Sequence, residues 1–149
     1  ALPIYAGKNR MKYFDASILN DFLKNIELDN KLREAAFHNN FELYYQPQFF
    51  TGNKGLRGME ALIRWKDEED HMISPNVFIP IAEKNGWIWR IGRITTELTI
   101  KQLAKWREEG QALAPVSVNF SSNQLNDEGY VDFLEGLLKK YDIHQLHSF

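Results

Sequence analysis

Gly58-Met59-Glu60-Ala61-Leu62-Ile63-Arg64-Trp65 alternates with a period of two. On a strand, Met59, Ala61, Ile63 and Trp65 project to one face, and Glu60, Leu62 and Arg64 to the other. The apolar face carries the β-branched and aromatic residues that strands favour. The second face sets an acidic and a basic side chain four residues apart on one side of the sheet. A buried charge is costly unless it is paired or binds something. Two readings follow: a plain internal ion pair, or a site for a metal and an anion.

Composition bounds the rest. The chain has 149 residues, 44% of them hydrophobic and 26% charged, which suits one soluble domain with a real core. Its net charge of −2 gives no basic surface for nucleic acid. With no cysteine, disulfides, thiolate metal sites and cysteine nucleophiles are excluded, as expected of a cytoplasmic protein. No apolar run approaches the roughly 20 residues of a spanning helix. The N-terminus does not read as a secretory signal.

Working outward, Phe41–Phe50 predicts the strand before it, and Thr51-Gly52-Asn53-Lys54-Gly55 predicts a turn. So short a connection makes the two strands an antiparallel hairpin. Upstream, Asp15 or Ser17 can cap a helix whose stripe is Ile18, Leu19, Phe22, Leu23 and Ile26, resumed by Leu32, Ala35 and Ala36 as far as Asn39-Asn40. A break near Leu28-Asp29-Asn30 is expected, with the stripe packed on the core or on a partner chain. Residues 1–14 read as a turn at Gly7–Arg10 followed by a strand at Met11–Phe14.

Downstream, Lys66–His71 is a charged, solvated loop, because consecutive acidic residues splay rather than converge on a metal. Ser74-Pro75 starts a helix. Pro80 is expected to restart the chain, and Gly86 to stop it. A longer helix is predicted over about Ile91–Glu109, with Ile91, Ile94, Leu98, Leu103 and Trp106 inward and Arg93, Lys101, Lys105 and Arg107 on a solvated face. Pro115–Ser121 predicts a strand whose Ser117, Asn119 and Ser121 share one face. Buried parallel strands are usually apolar throughout, so that face should meet a wet pocket, and Asn119 offers an oxygen suited to Mg²⁺ or Mn²⁺. A last helix is predicted over about Asp127–Tyr141.

Four blocks together resemble the EAL-type cyclic di-GMP phosphodiesterases. They are Leu43-Tyr44-Tyr45-Gln46-Pro47-Gln48; Glu60-Ala61-Leu62 with Ile63-Arg64-Trp65; Ile73-Ser74-Pro75 with Phe78–Glu83 and Gly86; and Ser117-Val118-Asn119-Phe120-Ser121 with Gln124. The resemblance runs from roughly Leu32 to the C-terminus. It implies an α/β fold, part of a TIM-like barrel of about three βα units with an antiparallel first strand, over residues 41–149. Residues 15–40 would be a connector helix, and residues 1–14 are similar to the closing segment of a GGDEF domain.

The implied chemistry is hydrolysis of one phosphodiester bond of cyclic di-GMP. Two divalent metals, Mg²⁺ or Mn²⁺, would activate a water and stabilise charge on the phosphoryl oxygens. Glu60 and Asn119 match the metal-binding Glu and Asn; Gln46 and Arg64 would contact phosphate or guanine, and Leu62 would shape the pocket. Glu83 reads as a structural anchor.

A (β/α)₈ barrel needs roughly 200–250 residues, and the family's later metal-binding Glu, paired aspartates and catalytic Lys have no match in these 149. The chain alone is therefore expected to have little or no activity, with no complete catalytic set. An open strand edge and uncovered apolar faces predict self-association. The alternative is an EAL-like receptor or interaction module that has lost catalysis.

Overall fold

The computed structural model describes residues 2–5, 11–14, 16–52 and 54–143, the first two runs through their backbone only. Strand β1 (Leu2–Tyr5) pairs antiparallel with β2 (Met11–Phe14). The predicted strand is therefore present, while the turn at Gly7–Arg10 and the cap at Asp15 lie outside the described residues.

Helix α1 (Ala16–His38) runs without the expected break at Leu28–Asn30. Polar residues there do not interrupt it, because Leu28 packs on the core and the Asp29 carboxylate accepts bonds from Asn85 and Trp87. The helix ends where Asn39 takes a left-handed φ of 57° and the Asn40 amide bonds back to the Ala35 carbonyl. Arg90 closes the same end by donating to the carbonyls of Ala36 and Phe37. Only the second half of the apolar stripe is covered: Leu32, Ala35 and Ala36 are buried, whereas Ile18, Leu19, Phe22, Leu23 and Ile26 are exposed.

Strands β3 (Glu42–Phe49) and β4 (Leu56–Lys66) form the expected antiparallel hairpin, in register from Glu42 opposite Arg64 to Gln48 opposite Gly58. A two-residue strand not foreseen, β5 (Met72–Ile73), returns to pair with Trp65 and Lys66. The charged loop before it is folded by Asp67, whose carboxylate accepts the amides of Glu69 and His71. Those bonds hold the Asp67 carboxyl below its ordinary range.

Helix α2 (Pro75–Asn85) opens on Ser74-Pro75 and closes at Gly86, left-handed at φ 82°, as read from sequence. Pro80 does not restart the chain; it sits inside one helix. The bond it forfeits is to the Asn76 carbonyl, and both residues are exposed, so water can serve that oxygen. Helix α3 (Ile88–Glu108) then crosses back, and β6 (Val116–Val118) pairs parallel with β4. Strand, crossover helices, parallel strand is the α/β unit. β6 is shorter than the predicted Pro115–Ser121. After it come a 3₁₀ turn (Ser122–Asn126) and helix α4 (Tyr130–Lys140), which starts later than expected because Ser121–Asp127 forms its own capped turn.

Two cores hold these layers. Phe41, Trp65 and Phe78 form an aromatic cluster, with the Trp65 and Phe78 rings edge-on at 5.5 Å and 86°. Onto it pack the buried end of α1 and the Ile88, Ile91 and Ile94 stripe of α3. Ile100, Ala104, Leu137 and Ile143 join α3 to α4. All of this covers one face of the sheet. The other face, with Glu60, Leu62 and Arg64, stays half-buried.

Candidate functional site

Register assembles the site. Gln46 lies directly opposite Glu60 and Tyr44 opposite Leu62, so the hairpin puts all four on one face. Ser117 lies beside Glu60 on the other flank. Asn119, one residue past β6, turns its carboxamide back, and Nδ2 donates to Glu60 Oε1 at 2.8 Å. Two oxygen-bearing side chains from parallel strands thus meet at one point. Ser121, expected on the same face, diverges because β6 stops at Val118; its hydroxyl donates to the Glu83 carboxylate instead. That bond ties α2 to the turn after β6.

The internal ion pair is not formed. Arg64 has no carboxylate within ion-pair distance among the described residues; its Nη1 donates to the Ile63 carbonyl at 2.8 Å and its guanidinium lies 5.4 Å from the Tyr44 ring centroid. Glu42, directly opposite, is drawn away by Lys66 at 3.5 Å. A guanidinium left without a counterion beside an open cleft is a ready partner for a phosphate.

That cleft has a structural cause. β6 ends beside Ala61 and β5 ends beside Trp65, leaving the Leu62–Arg64 edge of β4 uncovered. The resulting cavity of about 310 Å³ is lined by Leu62, Arg64, Glu83, Asn119, Ser121 and Gln124 together with apolar residues of α2 and α3. Leu62 lines that cavity, as do Ala61 and Ile63, whose side chains belong to the opposite face of β4. Glu60 and the exposed Gln46 lie on the adjoining open face rather than in the cavity wall.

The donors suit a hard divalent cation in type: a carboxylate, and a carboxamide whose nitrogen contacts that carboxylate and whose oxygen is the atom suited to a cation. In number they are two, and no group of three or more His, Cys, Asp or Glu residues able to hold a metal occurs among the described residues. Mg²⁺ keeps several waters and needs only one or two carboxylates, so the pair fits as part of such a site.

Sequence reasoning missed three contributors. Tyr44 is the platform under Arg64. Arg93, assigned to a solvated face, makes a two-pronged bond to Asp127 at 2.7 and 2.8 Å, which pulls the Asp127 carboxyl below its ordinary range. Gly92 is the third; a glycine within the inward stripe of a predicted helix was the available signal.

The family model for the EAL domain matches residues 29–147, beginning inside α1 where that helix starts to pack on the core. The bifunctional diguanylate cyclase/cyclic di-GMP phosphodiesterase MucR of Pseudomonas aeruginosa is 30% identical over 141 residues, 95% of this chain and 21% of its own length. The cyclic di-GMP phosphodiesterase PdeR of Escherichia coli is 33% identical over 134 residues, 90% of this chain and 20% of its own. The solved structure of the PaMucR phosphodiesterase with c-di-GMP superposes with a TM-score of 0.71 at 33% identity, over 78% of this chain and 47% of that one. The chain therefore spans about a fifth of the curated relatives it matches and about half of that solved chain.

Proposed function

The chain belongs to the EAL-domain family, and on that premise we propose that it forms the cation and phosphate half of a site that hydrolyses cyclic di-GMP to the linear dinucleotide. The observation that carries this is the Asn119–Glu60 contact beside a guanidinium with no ion-pair partner among the described residues. Glu60 and Asn119 would hold a Mg²⁺ or Mn²⁺ ion, which supplies a polarised water and offsets charge on the phosphoryl oxygens. Arg64, braced on Tyr44, orients a phosphate; Gln46 offers a carboxamide to a base or phosphate; Leu62 excludes water from one wall of the cleft. The retained Glu60–Asn119 pair favours a hydrolase over a receptor that has lost catalysis.

The remaining catalytic groups are not supplied by these 149 residues in this proposal. Residues 1–14 and 15–40 belong to the same reading, as the end of a preceding cyclase-type domain and a connector. Among the described residues no helix is long and apolar enough to cross a membrane; a cytoplasmic setting and self-association through the open edge of β6 or the bare stripe of α1 complete it.

The test is titration of the 149-residue chain with cyclic di-GMP and Mn²⁺, followed by NMR, alongside a hydrolysis assay. Shifts centred on Leu62, Arg64 and Asn119, with little linear product, are expected. No response at those residues refutes the site, and turnover like that of an intact domain refutes the division of catalytic groups.

A further inference from the structure

Asn119 has no ladder position of its own, since β6 ends at Val118, and its side chain is exposed. An exposed asparagine past a strand end should sample several rotamers, yet this one rests on Glu60. Its reach to Glu60 depends on where the turn that follows is held.

Among the described residues four polar ones are deeply buried: Thr95, Thr96, Thr99 and Gln124. The three threonine hydroxyls bond to carbonyls one turn back in their own helix. Gln124, 4% exposed, does something else. Its Oε1 accepts the Ser121 amide at 2.7 Å, and the Ser121 hydroxyl in turn accepts the Asn123 amide, a reciprocal cap that closes the turn two residues after Asn119. The carboxamide reaches that position by lying flat on α3 at Gly92, where a Cβ would fall 1.5 Å from its Nε2. Glycine inside a helix costs about 1 kcal/mol relative to alanine; here it leaves the space that the carboxamide occupies. Three further bonds tie the same turn to α2 and α3: Ser121 to Glu83, the Trp89 indole to the Asn123 carbonyl at 2.9 Å, and Arg93 to Asp127.

We propose that Gln124, seated on Gly92, is a positioning residue that holds Asn119 against Glu60. It fixes the turn from which Asn119 projects, and α3 serves as the rigid base. The proposal rests on reading Glu60 and Asn119 as a cation-binding pair, but its geometric core does not need the cation.

The experiment uses the ¹⁵N-labelled chain. In the unmodified protein the Asn119 side-chain amide should be motionally restricted, in contrast to that of the exposed Asn76; equal mobility of the two overturns the proposal. In Gln124→Met, which keeps bulk and removes the carboxamide, the Asn119 amide should become mobile while far-UV circular dichroism stays native. The Mn²⁺ concentration needed to broaden it should rise roughly tenfold, the scale of loss typical when a partner behind a ligand is removed. Gly92→Ala should act in the same direction by displacing Gln124, and covers the case in which Gln124→Met fails to fold. Unchanged order at Asn119 in a folded variant overturns the clamp. Broadening that persists in Glu60→Gln refutes the cation reading separately, and the mobility of Asn119 still judges Gln124.

Discussion

Asn119 Nδ2 donates to Glu60 Oε1 at 2.8 Å across 59 residues of sequence. The contact exists because β6 lies parallel to β4 with Ser117 beside Glu60, so the residue leaving the strand can reach back to the same row. Its energetic worth is small, since Asn119 is exposed and water competes for both groups. In a double-mutant cycle of Glu60→Ala and Asn119→Ala, urea unfolding should give a coupling below about 1 kcal/mol. Either single change should nonetheless abolish the Mn²⁺ response at this point. A coupling of several kcal/mol would mean that the pair is structural.

The parallel pairing itself hangs on a glycine. A Cβ on Gly58 would fall 2.8 Å from the Pro115 carbonyl, whose oxygen accepts the Met59 amide at 2.8 Å. Backbone cannot yield there as a flexible side chain would. Gly58→Ala should therefore destabilise the chain by about 1–3 kcal/mol and loosen β6 from β4. Denaturant titration measures the first effect, and faster hydrogen exchange of the Met59 amide the second. Wild-type values for both would show that Pro115 is free to move.

Tyr45 gives an alkaline limit. It packs against Trp106 with ring centroids 5.0 Å apart, and burial pushes its phenol up to about 12 despite the opposing effect of the Thr99 side chain. Burial disfavours the phenolate, so the folded state holds the proton more tightly than the unfolded chain, whose phenol titrates near 10. This contribution is complete below pH 10 and is lost as pH rises from about 10 through about 12. One tyrosine should ionise late in an ultraviolet titration, and Tyr45→Phe should flatten the fall in Tm over that window. A Tm profile identical in the variant would remove Tyr45 as the cause.

Ile18, Leu19, Phe22, Leu23 and Ile26 leave an apolar stripe in water, with Phe22 60% exposed. Patches of this kind drive association. Sedimentation velocity of the 149-residue chain should show concentration-dependent oligomers, and Phe22→Glu with Leu23→Lys should shift the distribution towards monomer. A monomer at millimolar concentration in the unaltered chain would count against it.

Much of this was legible in single stretches. Alternation over Gly58–Trp65 assigned Glu60 and Arg64 to one face, the short turn after Phe50 made β3 and β4 antiparallel, and Ser74-Pro75 and Gly86 marked the ends of α2. These are properties of neighbouring residues, of strand periodicity and backbone dihedral preference, and they survive whatever the chain packs against. The candidate site residues were named from the letters through their family resemblance.

The packing decided the rest. Whether Pro80 breaks a helix depends on whether water reaches the carbonyl it orphans; whether α1 breaks at Asp29 depends on Asn85 and Trp87 arriving to bond it. Whether Glu60 pairs with Arg64 or with Asn119 depends on which strand settles alongside β4 and in what register. That register is fixed by Gly58 against Pro115 and by the cores that seat α3 on the far face, neither of which is a local property. The sequence determined which chemical groups were available and, along β4, which face each would take; only the tertiary structure, through contacts between residues far apart in the chain, decided which of them would meet.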